Sequence, residues 1–200
     1  PLIIIFGLGS ANGSRTGAAP LAEMMESLTK RPNISVVTCM GNEANNKCHY
    51  KGAVMSALVP DVMEINVDGT GKGFTMEIWA DSLDILSVSI ESPSGEYVPR
   101  IPARMGGSME YTFLYEGSTV TVDYQITENV AGMEVIFVRL KTPVEGTWKF
   151  YIYSLTNIKG SYNAWLPLKQ FSGQDIYFLK SDPDTTLTVP AAADGVISVG

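Results

Sequence analysis

The stretch GFTMEIWADSLDILSVSIES, residues 73–92, contains two short runs, 73–80 and 85–92, that are rich in β-branched and aromatic residues. Apolar and polar residues alternate along both runs with a period of two. At that period successive side chains point to opposite faces of a sheet. The pattern therefore predicts strands in residues 74–91, with no helix longer than two turns.

Five more runs of this kind follow residue 60: VMEINVD (62–68), MEYTFLYEG (109–117), TVTVDYQIT (119–127), EVIFVRLK (134–141) and TWKFYIYSL (147–155). Turn-forming segments separate several of them: DGTGKG (68–73), SPSGE (92–96) and TPVEGT (142–147). Regular short strands with such punctuation indicate an antiparallel jelly roll or β-sandwich. We predict one such domain over residues 56–180. Its better-buried residues are expected to include Ile78, Val88, Ile90, Val122, Phe137 and Tyr151.

The first 55 residues have a different pattern. Two apolar runs, LIIIFGL (2–8) and ISVVTCM (34–40), are of the kind found in parallel strands buried on both faces. Between them, one face of a helix is predicted from four apolar residues at the helical spacing: Leu21, Met24, Met25 and Leu28. We therefore expect a partial α/β segment, β-α-β with parallel strands, over residues 1–55.

The last run, TLTVPAAADGVISVG (186–200), is again apolar and ends in glycine. From the residues alone it is either an edge strand of the sandwich or a return to the parallel sheet. In the second case, residues 181–200 complete the α/β segment and residues 56–180 are inserted within it. The predicted fold class is mostly β, with a sandwich flanked by α/β parts.

Composition argues against several functions. Of the 200 residues, 45% are hydrophobic, so a packed core is expected. The formal net charge is −7, and no lysine and arginine cluster is interleaved with aromatic residues, so nucleic acid is not expected as a partner. No apolar run approaches the roughly 20 residues that a membrane helix needs, so no membrane partner is expected.

No metal or cofactor is expected either. Two cysteines, Cys39 and Cys48, with the single histidine His49, make neither a zinc site nor a disulfide framework. The glycine-rich loop departs from the dinucleotide-binding pattern, because Asn12 stands where that pattern requires its third glycine. We interpret His49 as a hydrogen-bonded loop histidine, since no nucleophile accompanies it.

Two other sets of side chains are candidates for a catalytic or a binding site. Five carboxylates along the strands are predicted to lie on solvated faces rather than to form an acid/base pair: Glu64, Glu77, Asp81, Asp84 and Glu91. Three tryptophans can in principle form a platform for sugar rings, although core packing is the default for tryptophan in short strands: Trp79, Trp148 and Trp165.

The stretch VVTCMGNEANN, residues 36–46, ends the second predicted strand in a glycine and a cluster of amides. Two roles are open to Asn42. It can cap the turn by bonding the backbone near Asn45, as asparagine often does. Its amide can also donate to an oxyanion that develops during a reaction, because it lies just past a buried strand on a glycine-assisted turn. The local residues favour neither role.

The order of these elements resembles the subtilisin-like serine proteases. In that family one strand ends in Ser-Leu-Gly and a later strand ends in Ala-Ala-Gly-Asn. Here Gly7-Leu8-Gly9 and Cys39-Met40-Gly41-Asn42 stand at those places. The segments GNEANNKCHYKG (41–52) and DPDTTLTVP (182–190) are similar to the clostridial Csp-like members, which carry a jelly-roll domain inserted after the oxyanion asparagine. The similarity extends over nearly the whole chain.

The resemblance implies roles for seven residues. Asn42 is the oxyanion-hole donor, and the substrate-binding residues are those of the two strand ends: Gly7, Leu8, Gly9, Cys39, Met40 and Gly41. It also implies that the catalytic Asp, His and Ser lie outside this chain. The family motif Gly-Thr-Ser is replaced by Gly117-Ser118-Thr119, and His49 follows the asparagine instead of preceding it.

The longer protein is therefore expected to be a serine endopeptidase with a polypeptide substrate and a prodomain as partners. This chain alone is predicted to be inactive. A secreted, cell-surface or spore-associated location is implied by the resemblance only. The competing interpretation is a non-catalytic jelly-roll module that binds carbohydrate or protein.

Overall fold

The computed structural model describes residues 1–104, 106–126, 132–156 and 158–200. The chain divides into two compact units. One, the outer-segment unit, is built from residues 1–46 and 183–200. The other, the sandwich unit, is the continuous segment 47–182 that lies between them in sequence. Residue 127, the last of one predicted strand, lies outside the described residues.

Strands dominate both units. The elements of the described residues are, in chain order, β1 (Leu2–Phe6), α1 (Pro20–Thr29), β2 (Ile34–Cys39), β3 (His49–Ala53), β4 (Asp61–Asp68), β5 (Gly73–Asp81), β6 (Leu86–Glu91), β7 (Tyr97–Ile101), β8 (Ser108–Thr112), β9 (Thr119–Ile126), β10 (Met133–Lys141), β11 (Gly146–Ser154), β12 (Ser161–Trp165), α2 (Lys169–Ser172), β13 (Asp175–Phe178) and β14 (Ile197–Val199). In this part of the chain, neither helix has the length and apolar character needed to cross a membrane.

The sandwich unit contains two antiparallel sheets. The six-stranded sheet has the order β3-β12-β5-β10-β9-β8, and the five-stranded sheet has the order β13-β4-β11-β6-β7. Apolar side chains from both sheets form one core, as expected for a sandwich. The predicted fold class, a mostly β chain with a jelly-roll or sandwich region flanked by a partial α/β segment, is confirmed.

Four of the six residues predicted to be well buried are 0% exposed: Ile78, Val88, Ile90 and Val122. The prediction was wrong for Phe137 and Tyr151, which are half-buried. Their neighbours Ile136 and Phe150 are the ones that point into the core, and both are 0% exposed. Because the strand period is two, an error of one residue exchanges the two faces. In β10 and β11 apolar residues are adjacent, so the sequence does not show which of the two neighbours faces the core.

The outer-segment unit is a parallel sheet of three strands in the order β1-β2-β14. Helix α1 connects β1 to β2 in sequence and packs against β2. Val37 of β2 lies opposite Ile5 of β1 on one side and Ile197 of β14 on the other. Residues 197–199 thus pair with the parallel sheet and are not an edge strand of the sandwich.

The boundary of the sandwich differs from the predicted one. His49–Ala53, which the prediction assigned to residues 1–55, form β3 and pair with β12 in the six-stranded sheet. The division falls between Asn46 and Lys47, and again between Asp182 and Pro183. The partner strand of β3 begins only at Ser161, so nothing local in the sequence marks β3 as part of the sandwich.

The predicted face of helix α1 is partly correct: Met25 is buried and Leu21 and Leu28 are half-buried, but Met24 is exposed. The buried residues of the helix are Ala22 and Met25, at 2% and 3% exposure, whereas Met24 is 54% exposed. The small side chain of Ala22 lies in an apolar cluster with Ala19 and Val189. Counting only large apolar residues therefore included the exposed Met24 and missed the buried Ala22.

Burial of β1 and β2 on both faces is contradicted. Val36 of β2, on the face that α1 covers, is 1% exposed. On the opposite face, four apolar side chains are more than half exposed: Ile3 (66%), Ile5 (77%), Ile197 (55%) and Val199 (54%). A continuous apolar run predicts a strand, but burial of its second face depends on elements elsewhere.

Candidate functional site

The carboxyl ends of β1 and β2 lie side by side, because the strands are parallel and Phe6 is in register with Thr38. The segments that follow, Gly7-Leu8-Gly9 and Met40-Gly41-Asn42, therefore leave the sheet at the same edge. Ligand sites of open α/β sheets lie outside the carboxyl ends of the strands. We call this region the carboxyl edge.

A third segment, Thr188-Val189, is hydrogen-bonded to both loops of the carboxyl edge. The Thr188 N–H donates to the Met40 carbonyl at 3.0 Å, and Ser10 and Val189 exchange two backbone hydrogen bonds of 3.0 and 2.9 Å. The Thr188 hydroxyl also donates to the Cys39 carbonyl at 3.4 Å. Sequence reasoning missed Thr188, because no local motif marks it.

Two glycines allow Thr188 to lie between the loops. An ideal Cβ on Gly9 would fall 2.2 Å from Thr188 Oγ1, and one on Gly41 would fall 2.6 Å from Thr188 Cγ2. Gly41 also has φ of 84°, in the left-handed region that favours glycine. Thr188 is 2% exposed, so its side chain has little room to turn away. The glycines therefore serve close packing at this edge.

Gly9→Ala is expected to destabilise the outer-segment unit by about 1–3 kcal/mol, because the added methyl overlaps a buried side chain. Gly7→Ala is the matched control, since its Cβ would meet nothing within 4 Å. Hydrogen exchange of the β1 and β2 amides measures the free energy of unfolding of this unit. Equal losses in the two variants would contradict the packing role of Gly9.

Asn42 lies three residues beyond the end of β2 and is exposed. The turn that follows is closed by Asn46, whose amide donates to Glu43 Oε2 at 2.9 Å and to the Asn42 carbonyl at 3.4 Å. Within the described residues the Asn42 side chain makes no hydrogen bond, so the expected bond to the backbone near Asn45 is not observed. Its amide is available to an external acceptor.

The six residues predicted to bind substrate lie on the two loops of the carboxyl edge or at the end of β2. They differ in accessibility. Gly7, Leu8 and Gly41 are exposed, with Leu8 at 71%. Gly9, Cys39 and Met40 are half-buried.

His49 is a strand residue, not the loop residue that was predicted. It is 0% exposed, and its ring stacks on Trp165 with centroids 4.9 Å apart. Its Nε2 is 3.0 Å from Asn163 Oδ1, and its Nδ1 is 3.2 Å from the Asp182 carbonyl. Both ring nitrogens are thus engaged, which leaves no position from which His49 can serve a nucleophile.

Two of the five carboxylates predicted on solvated faces are buried. Glu77 is 4% exposed and accepts a bond from Trp79 Nε1 at 2.9 Å, whereas Asp84 is 0% exposed. The tryptophans are buried as well, at 6%, 0% and 5% exposure for Trp79, Trp148 and Trp165. Core packing is therefore confirmed for them, and they offer no exposed platform for sugar rings.

Metal-ligating residues do not gather in the part of the chain that the structure describes. No group of three or more His, Cys, Asp or Glu side chains there could hold a metal ion. Cys39 is half-buried and Cys48 is buried, and the two are not joined in a disulfide.

The fold defines a class of chain in which a jelly-roll sandwich lies in sequence between two segments of a small parallel sheet. No protein-family profile matches this chain, and no curated protein matches it significantly by sequence. Among solved structures it is similar to the CspB protease of Clostridium perfringens, with a TM-score of 0.87 and 24% identity. The similarity covers 100% of this chain and 41% of the protease chain. At that identity the comparison shows the fold alone.

Proposed function

We propose that this chain is an internal segment of a subtilisin-like serine endopeptidase, which supplies the oxyanion-hole asparagine but not the catalytic triad. The observation that carries the proposal is that Asn42 is exposed just past β2, on a loop that leaves the sheet at the same edge as Gly7-Leu8-Gly9. The protease fold of the similar solved structure supports it. The sandwich is then a structural insert within the protease domain.

Asn42 would act on the charge that forms during peptide hydrolysis. When a serine attacks the scissile carbonyl, negative charge develops on the carbonyl oxygen and needs donors that are already in place. An amide with no internal hydrogen bond meets that need without first breaking one. The second donor, a backbone N–H at the serine, would come from the rest of the protein.

The two loops would hold the polypeptide on either side of the cut. β1 is an edge strand of its sheet, so the backbone that continues into Gly7-Leu8-Gly9 can pair with an extended substrate. Met40 and Gly41 would then lie beside the side chain that precedes the cleaved bond. Thr188, which fills the space between Gly9 and Gly41, would limit how deeply that side chain enters.

The remaining elements of the protease would cover the exposed face of the small sheet. Parallel sheets are normally covered on both faces. The four exposed apolar side chains on β1 and β14 are consistent with such a cover, supplied by the longer protein. The carbohydrate-binding alternative has no such support, because the tryptophans that would stack on sugar rings are buried.

The chain alone is expected to show no hydrolysis of casein or of peptide esters, because its single histidine is buried with both ring nitrogens engaged. The assay compares the purified 200-residue chain with an active subtilisin as positive control. Hydrolysis that a serine-directed fluorophosphonate abolishes would contradict the proposal. So would flanking sequence in the longer protein that lacks the family motifs His-Gly-Thr before this segment and Gly-Thr-Ser after it.

A further inference from the structure

Glu134 places a carboxylic acid at the core-facing side of β10. It precedes Ile136 and Val138 on that side and is 3% exposed. Its Oε2 accepts a hydrogen bond of 3.0 Å from the N–H of Leu86, the first residue of β6 in the opposite sheet. Its Oε1 is buried without a hydrogen-bond partner in the described residues. An ionised carboxylate would have lost most of the donors that water provides.

The titratable groups around Glu134 do not neutralise it. Asp84, just before Leu86 on the β5–β6 loop, is 0% exposed and accepts backbone N–H bonds of 2.7, 2.9 and 2.7 Å from residues 158–160. Lys159, near Asp84, is paired with Asp81. From β9, Tyr124 lies near Glu134, and its hydroxyl donates to the Ile101 carbonyl at 2.8 Å.

A cation on the opposite sheet is also committed to other partners. Arg100 of β7 donates from Nε to Ser87 Oγ at 2.6 Å and stacks over the Tyr153 ring, so this cation of the opposite sheet has other partners. Burial, opposed by the Leu86 bond and assisted by the charge of Asp84, raises the pKa of the Glu134 carboxyl to about 7. A proton on Glu134 therefore relieves both its desolvation and its repulsion from Asp84.

We propose that Glu134 is a proton-dependent latch between the two sheets. Its protonated form stays buried against the β5–β6 loop, whereas its ionised form needs more donors than the single Leu86 N–H supplies and opens the loop to water. The latch and the Asp84 bonds act at the same end of the sandwich, because Asp84 and Leu86 flank one residue of that loop. Ionisation would therefore loosen residues 82–86 together with residues 158–160, which Asp84 holds.

The sign of the pH dependence follows from the direction of the shift. The folded chain keeps a proton on Glu134 that the unfolded chain has already lost, between the ordinary carboxyl range and about pH 7. This stabilisation is complete below the ordinary pKa and is lost as the pH rises through the folded value. Stability should therefore fall across this window.

The test compares Glu134→Gln with Glu110→Gln, which removes the same charge from an exposed position on β8. Between pH 5 and pH 8, the wild type and Glu110→Gln are expected to lose roughly 5–10 °C more in Tm than Glu134→Gln. The hydrogen-exchange rate of the Leu86 amide, corrected for the intrinsic rate, should rise with pH in the wild type in proportion to the ionised fraction of Glu134. An unchanged loss of Tm in Glu134→Gln would overturn the latch.

A second measurement needs no substitution. The ¹³Cδ chemical shift of Glu134 in the unaltered chain is expected to titrate with a midpoint near pH 7. A Glu134 midpoint in the ordinary glutamate range, about 4.3, would overturn the proposal even if the Glu134→Gln variant did not fold.

Discussion

Under the proposed function, Asn42→Ala is expected to lower the kcat of the longer protein for peptide hydrolysis by about 10²–10³-fold with little change in KM. The range is the one known for the oxyanion-hole asparagine of subtilisin itself. The physical reason is that the amide would contact the substrate oxygen fully only when it carries negative charge. Initial rates on a peptide substrate at several concentrations separate kcat from KM.

Asn45→Ala is the matched control, because Asn45 is an exposed amide on the same turn. It should leave kcat unchanged. A fall in Tm without a fall in kcat for Asn42→Ala would assign Asn42 to the turn and remove it from the reaction. Equal losses of kcat in both variants would show that the turn, not the Asn42 amide, matters.

Trp148→Ala is expected to lower the free energy of unfolding of the sandwich unit by about 3–5 kcal/mol. Trp148 is 0% exposed, and its ring packs edge-on against Phe113 with centroids 5.1 Å apart. Its Nε1 donates to the Val144 carbonyl at 3.1 Å. Truncation would leave both a cavity and an unpaired carbonyl, which urea unfolding followed by far-UV circular dichroism would measure.

Two other variants calibrate this loss. Trp148→Phe keeps a ring in the core but removes the bond to Val144, so an intermediate loss is expected. Tyr115→Ala alters a side chain that is 85% exposed and should change stability by less than about 0.5 kcal/mol. If Trp148→Ala were no worse than Tyr115→Ala, the core described here would be wrong.

Strands were predictable because their signal is local. Alternation in residues 73–80 and 85–92 corresponds to β5 and β6, and the two apolar runs of the first 55 residues correspond to β1 and β2. The phase of that alternation was not always local. Where apolar residues are adjacent, as at Ile136-Phe137, the opposite sheet selects which one is buried.

Part of the candidate site was predictable for the same reason. Asn42 was placed just past the second strand from the sequence around it, and the structure puts it there. Thr188 was not predictable, since its hydroxyl bonds the carbonyl of a residue 149 positions earlier in the chain. Nothing in the sequence near Gly9 or Gly41 indicates which side chain will fill the space that they leave.

By itself the sequence determined helix α1 and the strands with a clear local pattern, the mostly β class and the position of Asn42 after β2. Each of these depends on residues within one turn or one strand of each other. Only the tertiary structure decided which face of the small sheet is covered, where the sandwich begins and that Glu134 is buried against Leu86. Those features come from contacts between residues distant in sequence, and the chain pattern near either partner does not encode them.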